Sequence, residues 1–225
     1  VEVWLQNGQV GGRIRLSSPI STHPGQYLLA YAPEETDAPL AAVLFPAGLN
    51  DGYDWIAAPP LPQHWLPGTL LELRGSYGHG FQVPVTTRKM ALISTSPSPA
   101  RLFPLISQAL AQDCAIALYS NAIPSGPDSL IPTAVEIQPL DAANGAVLWA
   151  DYLAIDLSIT SLKDLRTILG LDTMQNVSPP AQVLVFTPMP CGGQAECGVC
   201  AVSTRPGKNL ACKHGPVFAL NELEW

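Results

Sequence analysis

Charge is scarce in this chain, and positive charge scarcer still. Of 225 residues only 13% are charged, with 11 Lys and Arg against 18 Asp and Glu, a formal net charge of −7. No basic cluster interrupts that balance, which argues against a nucleic-acid partner, because phosphate backbones are held through Lys and Arg. No apolar run approaches the roughly 20 residues that span a bilayer. The opening residues, VEVWLQNGQV, lack the charged-then-apolar order of a secretory signal. Cysteine is sparse as well. Four of the five cysteines crowd between positions 191 and 212, which is not the disulfide framework of a secreted domain. A cytosolic protein without a membrane span is expected. What the chain has in plenty is proline (23), glycine (18) and hydrophobic residues (47%), the mark of a globular protein with short strands, many turns and a sizeable core. The length suits two or three small domains.

The crowded cysteines carry the chemistry. Cys191, Cys197, Cys200 and Cys212 follow the spacing C-x5-C-x2-C-x11-C. Thiolates this close repel one another unless positive charge sits among them, and a metal centre supplies it. Structural zinc usually takes two C-x2-C knuckles, but only Cys197 and Cys200 form one here. Three clustered cysteines with a distant fourth is the plant-type [2Fe–2S] order, nominally C-x4-C-x2-C…C. The first gap is one residue longer here. The spacing therefore points to [2Fe–2S] first, with zinc and a disulfide pair as the alternatives. Gly192 and Gly193 allow the backbone to curl and aim N–H groups at sulfur. Together with Gly198 and Val199 they are the candidate backbone donors. Cys114 lies in an apolar run and reads as a buried small residue. His23, His64 and His79 stand in loops beside Pro, Gly or Trp and read as turn or surface residues; His214, close to Cys212, is at most a group behind the ligands.

Taken in order, the chain changes character near position 87. Residues 1–86 alternate short β-rich runs (VEVWL, GRIRL, QYLLAYA, AAVLF, TLLELRG) with NG, PG, PAG and PG turn signals, and predict an antiparallel β-barrel or sandwich. They end in GSYGHGF, whose three glycines imply close backbone approach or a plain glycine-rich corner. Residues 87–186 predict a central α/β domain of nucleotide-binding type. KMALIS is a strand, Ser98 and Pro99 open a helix running to about Gln112, and CAIALYS is a second buried strand, together a βαβ unit. VLWADYLAIDL and QVLVF add strands, and SLKDLRTIL a short helix closed by Gly170. Residues 187–225 form the small C-terminal cluster domain. The βα turn, STSPSPAR (94–101), contains no glycine, and its two prolines remove N–H donors and fix φ, so it is a poor phosphate cradle.

The ending MPCGGQAECGVCAVSTRPGKNLACKHGPVFALNEL resembles the C-terminal cluster region of the electron-transfer subunit of NAD-linked dihydroorotate dehydrogenase. Met189, Cys191, Gly192, Cys197, Cys200, Cys212, Gly215, Pro216, Val217 and Phe218 match that family's motif, with His214 where it has aspartate. PGQYL (24–28) and GSYGHGF (75–81) are similar to its flavin-domain segments. The resemblance implies a ferredoxin-reductase-like architecture, four cysteine ligands to a [2Fe–2S] cluster, and a redox partner such as a flavin-containing dehydrogenase subunit. It also implies departures. The family's R-P-x-S flavin motif corresponds to Phe45-Pro46-Ala47-Gly48, its glycine-rich turn to STSPSPAR, and its later C-G-P segment to AIDLSI (154–159). Phenylalanine offers a diphosphate no charge. The expectation is an electron-transfer protein with [2Fe–2S], with NAD lost and FAD either lost or held in a rearranged site between GQYLLAYAP and GSYGHGF. A non-catalytic adaptor with a structural zinc is the alternative.

Overall fold

A hairpin dictated by its own turn residues opens the chain. Strands β1 (Glu2–Gln6) and β2 (Gln9–Arg15) pair antiparallel around Asn7 and Gly8, whose φ angles are 49° and 76°. Positive φ at both central positions is the turn that matches strand twist, and Asn-Gly adopts it readily. The structure, a computed structural model, describes residues 1–16, 20–34, 40–50, 54–122, 131–171, 177–205 and 207–225.

Five further strands complete the N-terminal part: β3 (Tyr27–Tyr31), β4 (Ala42–Leu44), β5 (Pro46–Asn50), β6 (Asp54–Ala57) and β7 (Glu72–Tyr77). They form a four-stranded sheet, β1-β2-β6-β5, and a three-stranded one, β4-β3-β7. The expected barrel is corrected here: among the described residues no strand ladder closes the two sheets on each other. The chain changes sheet at Phe45, and Pro46 brings no N–H with which to continue a ladder. The PAG segment, expected as a turn, is the start of β5, bent by a register shift between Pro46 and Gly48.

Strand β3 is buried on both faces. Tyr27 and Leu29 point into the main core, Leu28 and Ala30 into a smaller one around Trp55 and Trp65, as the two-residue period of a strand requires. The main core continues from Phe45 and Ile56 into the α/β part without interruption.

That part begins with β8 (Lys89–Ser94), a 3-10 turn over Ala100–Leu102, α1 (Phe103–Leu110) and β9 (Ala115–Tyr119). Strands β8 and β9 are parallel neighbours, the expected βαβ unit. Ser98 Oγ accepts from the Ala100 N–H at 3.3 Å, but the N-cap position of the 3-10 turn is Pro99 and not Ser98, and α1 starts later and ends at Leu110. There follow β10 (Val135–Gln138), α2 (Ala146–Trp149), β11 (Tyr152–Ser158), α3 (Leu165–Ile168) and β12 (Ala181–Phe186). Residues expected to open the VLWADYLAIDL strand are the helix α2 instead. Leu148 is 93% exposed there, while Asp151 Oδ2 accepts from the N–H groups of Arg88 and Lys89 and sets the start of β11. A hairpin of β13 (Ala201–Thr204) and β14 (Gly207–Leu210), the turn α4 (Ala211–His214) and β15 (Val217–Ala219) complete the chain. The sheet order is β10-β9-β8-β11-β12-β15, with β15 antiparallel at the edge. The cysteine segment is thus tied back into the central sheet by its own last strand. Among the described residues no helix is long and apolar enough to cross a membrane.

Candidate metal centre

The loop after β12 turns tightly, and its glycines make this feasible. Gly192, Gly193 and Gly198 have φ of 52°, 82° and 75°. A Cβ on Gly192 would lie 2.6 Å from the Leu29 side chain, so β3 sits directly beneath the turn. The Gly192 N–H closes that turn on Met189 O at 3.0 Å, and Gln194 N–H on Cys191 O at 2.9 Å. Val199 is 52% exposed at the loop's tip. The β13–β14 hairpin then reverses the chain, and the Ala211 N–H donates to Cys200 O at 3.0 Å, which brings Cys212 beside Cys200.

The four cysteines stand as two pairs. Cys191 and Cys197 sulfurs are 3.4 Å apart near the surface; Cys200 and Cys212 sulfurs are 3.3 Å apart and buried. All are free thiols, and these separations are well beyond the ~2.05 Å of a disulfide bond. Among the described residues no group of three or more His, Cys, Asp or Glu side chains is arranged to hold a metal ion as one set. Cys114 is apart from all of them, buried with its thiol on Thr87 O at 3.0 Å.

Cys191 of the outer pair and Cys212 of the inner pair differ electrostatically. Backbone hydrogen bonding at Ala195, with help from the Cys197 thiol and the backbone of Gly193 and Cys197, brings Cys191 down to about 7. Burial, then the hydrogen bond and charge of Cys200, push Cys212 up to about 12. Cys212 therefore resists becoming thiolate unless a positive centre compensates it. Across the site Lys213 and Glu196 form an ion pair at 2.8 Å, which raises the lysine and lowers the carboxylate.

Residues from the N-terminal part hold the inner pair in place. The Tyr27 hydroxyl donates to Cys212 O at 3.0 Å. Burial, followed by the charges of Cys212, Cys200 and Cys191, raises its pKa well above that of free tyrosine. His79 donates its N–H to Gly215 O at 2.6 Å, and its Nδ1 lies 3.0 Å from His214 O. A Cβ on Gly78 would come within 2.7 Å of Gly215 O and Pro216 Cδ. The GSYGHGF glycines thus serve close approach: Gly78 to the segment after Cys212, Gly75 to Leu28 and the Tyr27 carbonyl, and Gly80 to the Pro24 carbonyl. His214 Nδ1 accepts from the Leu210 N–H at 3.2 Å, a local cap. His23, His79 and His214, distant in sequence, line one cavity of about 450 Å³ with Glu222, whereas His64 packs edge-on to Trp65. Sequence reasoning missed Tyr27 and Leu29, which look like ordinary strand residues until the fold sets the cysteine loop on them.

Phe45, Arg101 and Asp156, from three segments singled out in the sequence, are all buried within the chain. Phe45 is 3% exposed, its ring 6.0 Å from Tyr27 and 6.2 Å from Phe186. From STSPSPAR, Arg101 reaches Asp156 of AIDLSI at 3.0 Å, and both side chains are buried.

No family model and no curated protein matches the chain by sequence. Solved structures do match by shape. A structure described as an NADH-dependent reduced ferredoxin-NADP oxidoreductase, studied for flavin-based electron bifurcation, aligns over 91% of this chain and 80% of its own, at 14% identity and a TM-score of 0.68. The fold is ferredoxin-reductase-like. The ferredoxin reductase of carbazole 1,9a-dioxygenase aligns over 77% of this chain and 65% of its own (16% identity, TM-score 0.59). The Amycolatopsis cytochrome P450 reductase GcoB aligns over 84% and 68% (16% identity, TM-score 0.56). The chain spans only part of these reductases, and at such identities the likeness is one of fold.

Proposed function

We propose that the protein is an electron-transfer protein of an oxidoreductase complex, related to the electron-transfer subunit of dihydroorotate dehydrogenase and working in the cytosol. Cys191 and Cys197 would hold one iron of a [2Fe–2S] cluster, and Cys200 and Cys212 the other. The supporting observation is the two-plus-two arrangement of the thiols, 3.4 and 3.3 Å apart within pairs. A mononuclear zinc site instead gathers four ligands around one centre. When bound, such a cluster supplies one-electron transfer and needs no general acid or base.

The chain's own residues bind and shield. Cys200 and Cys212 lie inside the protein while Cys197 is exposed, so one edge of the site faces solvent and a redox partner. Backbone N–H groups of Gly193, Gly198 and Val199 are the donors proposed to tune the sulfurs; the Gly192 N–H is engaged with Met189 O. The partner proposed is a flavin-containing dehydrogenase subunit. This chain offers FAD no arginine at position 45, and Phe45 lies in an aromatic stack.

Iron and acid-labile sulfide per chain, with the EPR spectrum of the reduced protein, test the reading. About two irons and two sulfides are expected. Stoichiometric zinc in a colourless protein would replace this reading with a structural adaptor, which the filled nucleotide positions also favour.

A further inference from the structure

Open α/β sheets receive nucleotides in the crevice beyond the C-terminal ends of their strands, where the strand order reverses. In the order β10-β9-β8-β11-β12-β15 that point lies between β8 and β11. The register sets Asp156 beside Ser94 at their C-terminal ends.

This crevice is occupied by a buried ion pair. Arg101 donates from Nε to Asp156 Oδ1 at 3.0 Å and from Nη2 to Oδ2 at 3.1 Å. Its Nη2 also donates to Ser96 Oγ at 2.7 Å and its Nη1 to Pro59 O at 3.2 Å. Ser94 Oγ donates to Asp156 Oδ2 at 3.2 Å, and the guanidinium stacks 4.3 Å from the Phe186 ring centroid. Arg101 is 3% exposed and Asp156 is fully buried. One of these partners, Pro59, lies across the seam between the N-terminal and α/β parts, and beside it Ser98 Oγ donates across the same seam to Gln6 Oε1 at 2.7 Å.

We infer that the Arg101–Asp156 pair has taken over the dinucleotide crevice of the fold, closing it to NAD(H) and NADP(H) and locking the two parts of the chain together. A pyrophosphate approaching this point meets a carboxylate that already satisfies the nearby cation. Pro97 and Pro99 remove backbone donors from the loop that would cradle it. Removing the arginine does not open the site either, because it leaves a buried carboxylate unpaired. Taken with the cluster proposed above, hydride from a nicotinamide has no seat in this chain. Electrons must then arrive and leave through one-electron carriers docked at the cysteine loop.

Calorimetric titration of the protein as isolated with NADH, NAD⁺ and NADPH, to millimolar concentration, reads the first half. No saturable heat is expected, and stoichiometric saturable binding of any of them would overturn the inference. Thermal melts of Arg101→Met, Asp156→Leu and the double variant read the second. Each single change should lower the midpoint by several degrees, and the double should recover most of the loss, since a buried ion pair replaced whole is tolerated far better than one broken. Single variants that melt with the wild type, or a double variant as low as the sum of the two, would overturn the lock. If a single variant does not fold, the double variant against wild type decides. Neither readout depends on iron or sulfide content, so a failure of the cluster proposal leaves this test standing.

Discussion

The hydroxyl of Tyr27 and the carbonyl oxygen of Cys212 are hydrogen-bonded at 3.0 Å across 185 residues of sequence. Tyr27 is fully buried in β3, and Cys212 is 6% exposed. One bond therefore fastens the last cysteine to the N-terminal sheets. The same strand supplies Leu29 beneath Gly192, so β3 is the floor on which both ends of the cysteine loop rest.

Replacing Tyr27 by Phe removes the donor and leaves a buried carbonyl short of a partner. A loss of about 1–3 kcal/mol is expected, visible as a midpoint lower by roughly 2–4 °C per kcal/mol in a chain of this size. A thermal melt identical to wild type would show that the bond contributes nothing.

Cys197→Ser should abolish or shift the visible absorption and the EPR signal of the reduced protein, because it alters a proposed ligand of the outer pair. Cys114→Ser should leave both spectra intact, its thiol being bonded to Thr87 O far from the site. Spectra of the loaded protein unchanged by Cys197→Ser would remove that residue from the ligand set.

Gly78→Ala and Gly198→Ala separate close approach from backbone freedom. Both glycines have positive φ, near 75°. A Cβ at Gly198 meets nothing within 4 Å, whereas at Gly78 it collides with Gly215 O and Pro216. Gly198→Ala should cost about 1–2 kcal/mol from backbone strain alone. Gly78→Ala should cost at least about 1 kcal/mol more, since packed backbone yields little. Chemical denaturation of the two variants orders them, and equal losses would mean that the Gly215 contact does not constrain the loop.

Acid-released flavin should be substoichiometric or absent, and the isolated protein should not oxidise NADH with a dye acceptor. The expectation rests on the proposed relationship, in which Phe45 stands at an arginine position: a charge-assisted hydrogen bond of about 1.5–3 kcal/mol would be missing, roughly tenfold or more in affinity. One FAD per chain with rapid NADH turnover would show that flavin is held by residues other than those of the eroded motifs.

Much of this architecture was legible in the sequence because it rests on neighbours along the chain. Asn7-Gly8 specifies its hairpin, and the apolar runs at 89–94 and 115–119 specify parallel strands around a helix. Period and turn chemistry act within a few residues, so composition in a short window carries them. What only tertiary structure decided are the contacts between distant windows. Strands β5 and β6 are hard to see around a proline and glycines until β2 pairs with β6 and β6 with β5. Residues 146–149, apolar enough for a strand, became α2, where Leu148 stays in solvent and the sheet ladder begins only after Asp151. The grouping of four thiols into an outer and an inner pair depends on the β13–β14 reversal and on the floor of β3. The glycine-free turn at 94–101 gave no sign that Arg101 would reach a carboxylate on another strand. Arg101 and Asp156 lie 55 residues apart, and only the reversal of strand order between β8 and β11 puts them face to face in a space from which water is excluded.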